Sequence, residues 1–251
     1  MTEAYPFRRQ RGFRSLVPES AWAELVRHGV CVPHHAKDEL LRQGESGTGV
    51  MLSLSGRLKV SYAEPDGDEI VLALRGPGDL VGELSVQDGL PRSATVRAVE
   101  RGATCRIQGR RFVELVQRIG LVSQLDYYIS GKLRESAPHA WQLAHRTTAS
   151  RLSALIFSII EAAGPDHPSP TIVPMTQDEL AAALGLVRSA VTPVLKEWKV
   201  TGLVRILRGG LEVVDFPMLV SRGVSSSGQN ETASGGRLSP RQAGTSTEEY
   251  R

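Results

Sequence analysis

The chain has 251 residues, 41% of them hydrophobic and 23% charged, with a formal net charge of +3 and a pI near 9.0. That is a globular composition, long enough for one large or two modest domains, and its mild basicity permits a nucleic-acid partner without demanding one. Its two cysteines, Cys31 and Cys105, lie far apart outside any CxxC pattern, which argues against a disulfide framework and excludes a four-thiolate metal or iron–sulfur site from one chain.

No run of about 18 apolar residues occurs, and the start, MTEAYPFRRQRGFR, lacks the apolar core of a secretory leader. A cytoplasmic protein without membrane contact is expected. Residues 1–14 form a basic arm with Arg8, Arg9, Arg11 and Arg14, to be read as a solvated tail or as an arm on nucleic acid. ESAWAELVRH, residues 19–28, predicts a short helix with Trp22, Leu25 and Val26 on one face.

From 30 to 108 the pattern changes to short apolar alternations broken by glycine turns. Leu52, Leu54, Leu58, Val60 and Tyr62 alternate with polar residues, Ile70, Leu72 and Leu74 follow a PDG turn, and Val96, Ala98, Cys105 and Ile107 close the series. Several short strands with such turns predict an all-β barrel or double-sheet jelly roll. His34 and His35, followed by Glu39, faintly suggest a metal site. Adjacent strand residues point to opposite faces, however, so they are expected to be partly exposed strand-end residues. No metal or cofactor, and no catalytic group, is expected.

The period then becomes helical. RRFVELVQRI gives a short amphipathic helix. A longer one carries Leu125, Ile129, Leu133, Ser136, Ala140 and Leu143 along a narrow seam, the kind that packs against a symmetry mate. A third helix, SRLSALIFSIIEAAG, ends before a Pro-rich linker, PDHPSPTIVP. In TQDELAAALGLVRSAVTPVLKEW, Thr176 and Glu179 have capping-box spacing, and Gly185 can end the first helix. Val191, Val194, Leu195 and Trp198 give the second helix its buried face. Together these predict a helix-turn-helix, followed by a two-stranded wing turning at Gly209-Gly210. A second helix lying in a major groove would present Arg188, Ser189, Thr192, Pro193 and Lys196, with Lys199, Arg205 and Arg208 near phosphates. Residues from 221 on are Ser/Gly-rich and read as disordered.

One loop, VGELSVQDGLPRSATV from Val81 to Val96, places Gly82-Glu83 at one end and Arg92-Ser93 at the other. Either Glu83 and Arg92 pair with each other, or a sugar phosphate lies between them. Gly82 lets backbone approach a phosphate, Arg92 offers a planar fork with Ser93 as a further donor, and Glu83 can accept a ribose hydroxyl.

With the run LSLSGRLKVSYAEPDGDEIVLALRGPGDLVGELSVQDGLPRSATVRA and the helix-turn-helix, residues 13–220 resemble the cyclic-AMP receptor protein/FNR family of bacterial transcription regulators. The resemblance implies an α+β chain. Its parts would be the arm at 1–14, a cyclic-nucleotide-binding-type β-roll at 15–120, a dimerisation helix at 121–147, a winged helix-turn-helix at 148–220 and a tail at 221–251. It further implies a homodimer on double-stranded DNA, with RNA polymerase as a protein partner. The effector would be cyclic AMP or another cyclic nucleotide, held by Gly82, Glu83, Leu84, Arg92, Ser93 and Ser136. DNA would be held by Arg188, Ser189, Thr192, Lys196, Arg205 and Arg208.

The chain departs from the family pattern at several positions. Ala137 lacks a second base-contacting hydroxyl, Pro138 removes a backbone donor inside the long helix and favours a kink there, Pro193 should disturb the bond to the Ser189 carbonyl, and Val187 replaces a hydroxyl-bearing N-cap. Of the Arg-Glu…Arg set in cyclic-AMP-responsive members, only Arg188 remains, beside Ser189 and Pro193. A different DNA site or lower specificity is expected. A pocket that senses another ligand or none, and a pure protein-interaction module, stay open as alternatives.

Overall fold

A computed structural model describes residues 10–64, 66–67 and 69–224, without the side chains of 136–140, 142–144 and 222–224. Arg8 and Arg9 of the arm, and the tail beyond residue 224, lie outside the described residues. So do the side chains of Ser136, Ala137, Pro138, Ala140 and Leu143.

Folded structure begins before residue 15. Phe13–Leu16 form a 3-10 turn with Phe13 fully buried, and Arg11 and Arg14 pair with Glu161 and Glu19 at 3.2 and 2.6 Å. The end of the arm is therefore part of the fold, neither a solvated tail nor a free arm. Helix α1 (Glu19–Arg27) follows and buries Trp22 and Leu25.

The roll comprises β1 (Val30–His34), β2 (Glu39–Leu41), β3 (Gly49–Ser55), β4 (Leu58–Ala63), β5 (Glu69–Arg75), β6 (Leu80–Val81), α2 (Glu83–Asp88), β7 (Thr95–Ala98) and β8 (Gly102–Gln108). Two antiparallel four-stranded sheets result, in the orders β1-β8-β3-β6 and β2-β7-β4-β5. The alternation read at Leu52 and Leu54 gives way in β3, which is buried on both faces. Val50 and Leu52 pack under Trp22, Leu25 and Leu115, while Met51 faces Leu58, Val81 and Val96 inside the roll. A strand covered on both sides needs no polar face.

Two local expectations are corrected here. Cys31 and Cys105 are opposite one another in the β1–β8 register and are joined by a disulfide, although 74 residues separate them in sequence. The pairing is created by the sheet, which spacing along the chain does not reveal. His34 is not partly exposed but only 2% accessible, and burial lowers its pKa; His35 stays exposed. Among the described residues no cluster of His, Cys, Asp and Glu is placed to hold a metal.

Helix α3 (Gly109–Arg118) leads into α4 (Val122–His145). The expected seam of α4 divides. Leu125 and Ile129 pack into the roll's own core with Leu121 and Tyr128, whereas Leu133 is 74% exposed. α4 remains helical across Pro138.

The C-terminal unit contains α5 (Thr148–Glu161), β9 (Ile172–Val173), α6 (Gln177–Ala183), α7 (Arg188–Val200), β10 (Val204–Leu207), β11 (Gly210–Val213) and α8 (Phe216–Val224). The Pro-rich linker supplies β9, so the wing is a three-stranded β10-β11-β9 sheet, not a two-stranded one. α8 extends to Val224, past the boundary at 221. Val71, Leu74 and Val99 of the roll share one core with Leu152, Ile156 and Trp198 of this unit. Trp198 is fully buried at its centre. Trp198→Ala is expected to lower stability by about 3–5 kcal/mol, measured by urea unfolding.

Candidate functional site

The loop between β6 and β7 folds as α2, and its N-cap Gly82 has φ +82°, in the left-handed region. A Cβ at Gly82 would stand 2.5 Å from Nη1 of Arg92 and 3.0 Å from Leu41. The glycine is therefore required by the conformation and by the guanidinium packed against it. Arg92 is buried; its Nη1 donates to the carbonyl of Gly82 at 2.6 Å and its Nη2 to that of Gly49 at 2.5 Å. No carboxylate lies within ion-pairing distance of it among the described residues. Burial pushes its pKa down and Arg106 adds to this, against the opposing charges of Glu83 and Glu45. An arginine nevertheless stays charged, so the loop carries a fixed cation held only by dipoles.

Glu83 does not pair with Arg92, which removes the internal staple. Its partner is Lys132 of α4, whose Nζ donates to Glu83 Oε1 at 2.8 Å and to the carbonyl of Leu80 at 2.7 Å. Lys132 also sits 4.5 Å from the centre of the Tyr128 ring. Burial lowers the lysine's pKa and the charge of Glu83 opposes that shift. The other carboxylate oxygen, Glu83 Oε2, is buried with no hydrogen-bond partner among the described residues. A carboxylate oxygen so placed can accept a hydrogen bond from a hydroxyl. Below, Tyr128 donates to Asp79 Oδ1 at 2.9 Å and accepts from the Leu80 amide, fixing the floor.

Gly82, Glu83, Leu84, Arg92 and Ser93 all line one cavity of about 230 Å³, with Lys132, Arg75 and Glu135. Its apolar wall includes Leu41, Val60, Leu72 and Val96. Ser136, the remaining residue expected here, has its side chain outside the described residues. Lys132, Arg75 and Glu135 were missed by sequence reasoning. Lys132 lies one helical turn past Tyr128, a spacing that puts both on the face over Asp79 and Leu80. Attention to the apolar seam alone passes over that polar pair.

In the C-terminal unit the capping box is present: Thr176 Oγ1 accepts from the Glu179 amide at 3.2 Å, and Glu179 accepts from the Thr176 amide at 2.8 Å. Gly185, at φ +63°, turns the chain into α7. Val187 caps α7 without a side-chain bond, and the helix runs unbroken through Pro193. Arg188, Ser189 and Lys196 are exposed along α7, Arg205 and Arg208 are exposed on the wing, and Thr192 is half-buried against Gln177. Arg188 pairs with Asp178 at 3.0 Å and Arg205 with Glu212 at 3.0 Å, both at the surface. Such exposed pairs are weak and exchange readily for phosphate or base contacts.

Residues 32–119 match the family model of the cyclic nucleotide-binding domain, and residues 149–222 match that of the Crp-like helix-turn-helix domain. The cyclic AMP receptor protein of Thermus thermophilus is 31% identical over 179 residues, covering 70% of this chain and 80% of that protein. A CRP-like cAMP-activated global transcriptional regulator of Mycobacterium tuberculosis is 25% identical over 211 residues, or 82% of this chain and 93% of the relative. Among solved structures, the c-di-GMP responsive global regulator CLP of Xanthomonas campestris shares the fold with a TM-score of 0.64 at 20% identity, covering 79% of this chain and 100% of that one. Both halves of the molecule, the roll with its polar cavity and the capped helix pair, thus have relatives of the same two-part design, and the chain belongs to the CRP/FNR family of transcription regulators, with a cyclic nucleotide-binding domain followed by a helix-turn-helix DNA-binding domain.

Proposed function

We propose that the roll binds a cyclic mononucleotide as effector and that its occupancy sets the DNA affinity of the helix-turn-helix. The observation that carries this reading is Arg92, a buried guanidinium with no carboxylate partner among the described residues, opening onto the same cavity as the unpartnered Glu83 Oε2. A cyclic phosphate would take the cation and a ribose hydroxyl the carboxylate oxygen. Leu84 would cover the ligand, and Ser93 would add a phosphate donor. Two relatives are named for cyclic AMP, which supports a nucleotide of that class. A cavity of about 230 Å³ suits one nucleotide better than a dinucleotide.

The protein acts as a cytoplasmic regulator, not a catalyst, and as a homodimer through α4, where Tyr127 and Leu133 are 62% and 74% exposed. Such a dimer would present two α7 helices to successive major grooves about 34 Å apart. Arg188, Ser189, Thr192 and Lys196 would face bases, Arg205 and Arg208 would meet phosphates, and RNA polymerase would be the partner at the promoter. Arg75 and Glu135 also line the cleft of about 400 Å³ that the roll shares with α5 and α6, which gives the ligand a physical route to the reading helices.

The test is fluorescence anisotropy on DNA recovered by random-site selection, with and without cyclic nucleotide. Ligand should change DNA affinity by about 5–150-fold. Equal affinity at saturating cyclic nucleotide would sink the reading.

A further inference from the structure

We propose that Arg75 and Glu135 make this pocket selective for a guanine base over adenine. The inference rests on the cyclic-nucleotide reading above and deepens it. Both residues line the same cavity as Gly82, Arg92 and Glu83. The cavity therefore holds a second, independent set of charged groups besides those assigned to phosphate and ribose.

Arg75 comes from β5 and is buried. Its Nη2 donates to Glu135 Oε2 at 2.9 Å and its Nη1 to the carbonyl of Leu74 at 3.3 Å. The charges of Asp79 and Glu135 offset the cost of its burial, and its two hydrogen bonds hold the guanidinium in place. Glu135, on α4, has a side chain 58% exposed, and among the described residues no donor meets its second oxygen, Oε1. The pair offers a carboxylate acceptor beside guanidinium donors, with the aliphatic side chains of Val60 and Leu72 available to the faces of a ring.

Guanine presents two adjacent donors, N1–H and the exocyclic N2 amino group, next to two acceptors, O6 and N7. A carboxylate can take both donors, and a guanidinium can donate to O6 and N7. Adenine has one donor group, N6, lying between the acceptors N1 and N7. Its N1 or N7 can accept from the guanidinium, but with no second donor beside N6 it satisfies one carboxylate oxygen at most. A site with fixed hydrogen-bonding groups discriminates against the base that leaves them unpaired.

The experiment is calorimetric titration of the full chain with cyclic GMP, cyclic AMP and cyclic IMP, which lacks the 2-amino group. Cyclic GMP should bind at least about tenfold more tightly than cyclic AMP, with cyclic IMP between them. Glu135→Gln removes the charge but keeps an oxygen that accepts from Arg75 Nη2, so the protein should stay folded by its melting curve, and it should bring the cyclic GMP to cyclic AMP ratio close to one. If wild type holds cyclic AMP as tightly as cyclic GMP, or if Glu135→Gln keeps the ratio, the base assignment is overturned while the pocket's function stands. Absence of binding by all three would overturn the pocket reading and this inference with it.

Discussion

Arg57→Ala should destabilise the protein by about 3–5 kcal/mol and loosen the C-terminal domain from the roll. Arg57 immediately precedes β4 and is 1% exposed. Its Nε and Nη2 donate to Glu100 Oε1 and Oε2 at 2.7 and 2.6 Å, and its Nη1 reaches the carbonyls of Ile159 and Pro170 at 3.4 Å. Glu100 in turn meets His167 Nε2 at 3.1 Å in the segment that leads to β9. One guanidinium thus ties two turns of the roll to the end of α5 and to the linker. Its removal leaves the half-buried Glu100 without its main counter-charge, which costs far more than losing a surface pair.

The same clasp predicts an acid transition. Burial alone would push the Glu100 carboxyl up, but hydrogen bonds from His167 and Arg57, with their charges, hold it down at about 2 against an ordinary 4.5. A carboxylate with a depressed folded-state pKa contributes stability that is fully present above the ordinary value. That stability is lost as pH falls from 4.5 towards 2. The contribution is about 2–3 kcal/mol. Urea midpoints measured between pH 5 and pH 2.5 should fall steeply in wild type and less steeply in Arg57→Ala. Parallel curves would show that the clasp does not hold the domains.

What the sequence made legible is what short-range chemistry determines. Thr176 and Glu179 are three residues apart, so their reciprocal bonds follow from one turn of helix, and the observed distances agree. The glycines that break the strand pattern sit where the chain needs positive φ, as at Gly56, Gly78 and Gly82. Contacts made by sheet register or domain docking were not legible. Cys31 meets Cys105, Glu100 meets Arg57 and His167, and Lys132 meets Glu83 across many intervening residues.

The cavity illustrates both cases. Gly82, Glu83, Arg92 and Ser93 belong to one loop and could be named together, while Arg75, Lys132 and Glu135 arrive from β5 and α4. α4 and α7 continue through Pro138 and Pro193, since a proline removes one amide bond while the neighbouring turns and, in α7, the buried Val191, Leu195 and Trp198 hold the helix together.

Arg92→Ala is expected to weaken binding of any cyclic nucleotide by about 2–5 kcal/mol, or roughly 30-fold to several-thousand-fold. The loss has two sources. Among the described residues of the cavity, Lys132 and Arg75 pair with Glu83 and Glu135 while the Arg92 guanidinium has no acidic partner, so it is the charge left for a phosphate. It also pins the carbonyls of Gly82 and Gly49, which fixes the loop before ligand arrives, and such preorganisation is lost with it. Arg92→Lys separates the two. It keeps the charge but cannot fork between two carbonyls, so intermediate affinity is expected. Gly82→Ala approaches the same point from the other side. Its Cβ would lie 2.5 Å from Arg92 Nη1 at a backbone φ of +82°, so the guanidinium must move although its charge remains. If position matters as much as charge, Gly82→Ala should lose at least about tenfold in affinity despite carrying every polar group of wild type. Titration of the three variants, each with its melting curve, decides the matter. A folded Arg92→Ala protein that binds cyclic nucleotide like wild type would remove the phosphate from this loop.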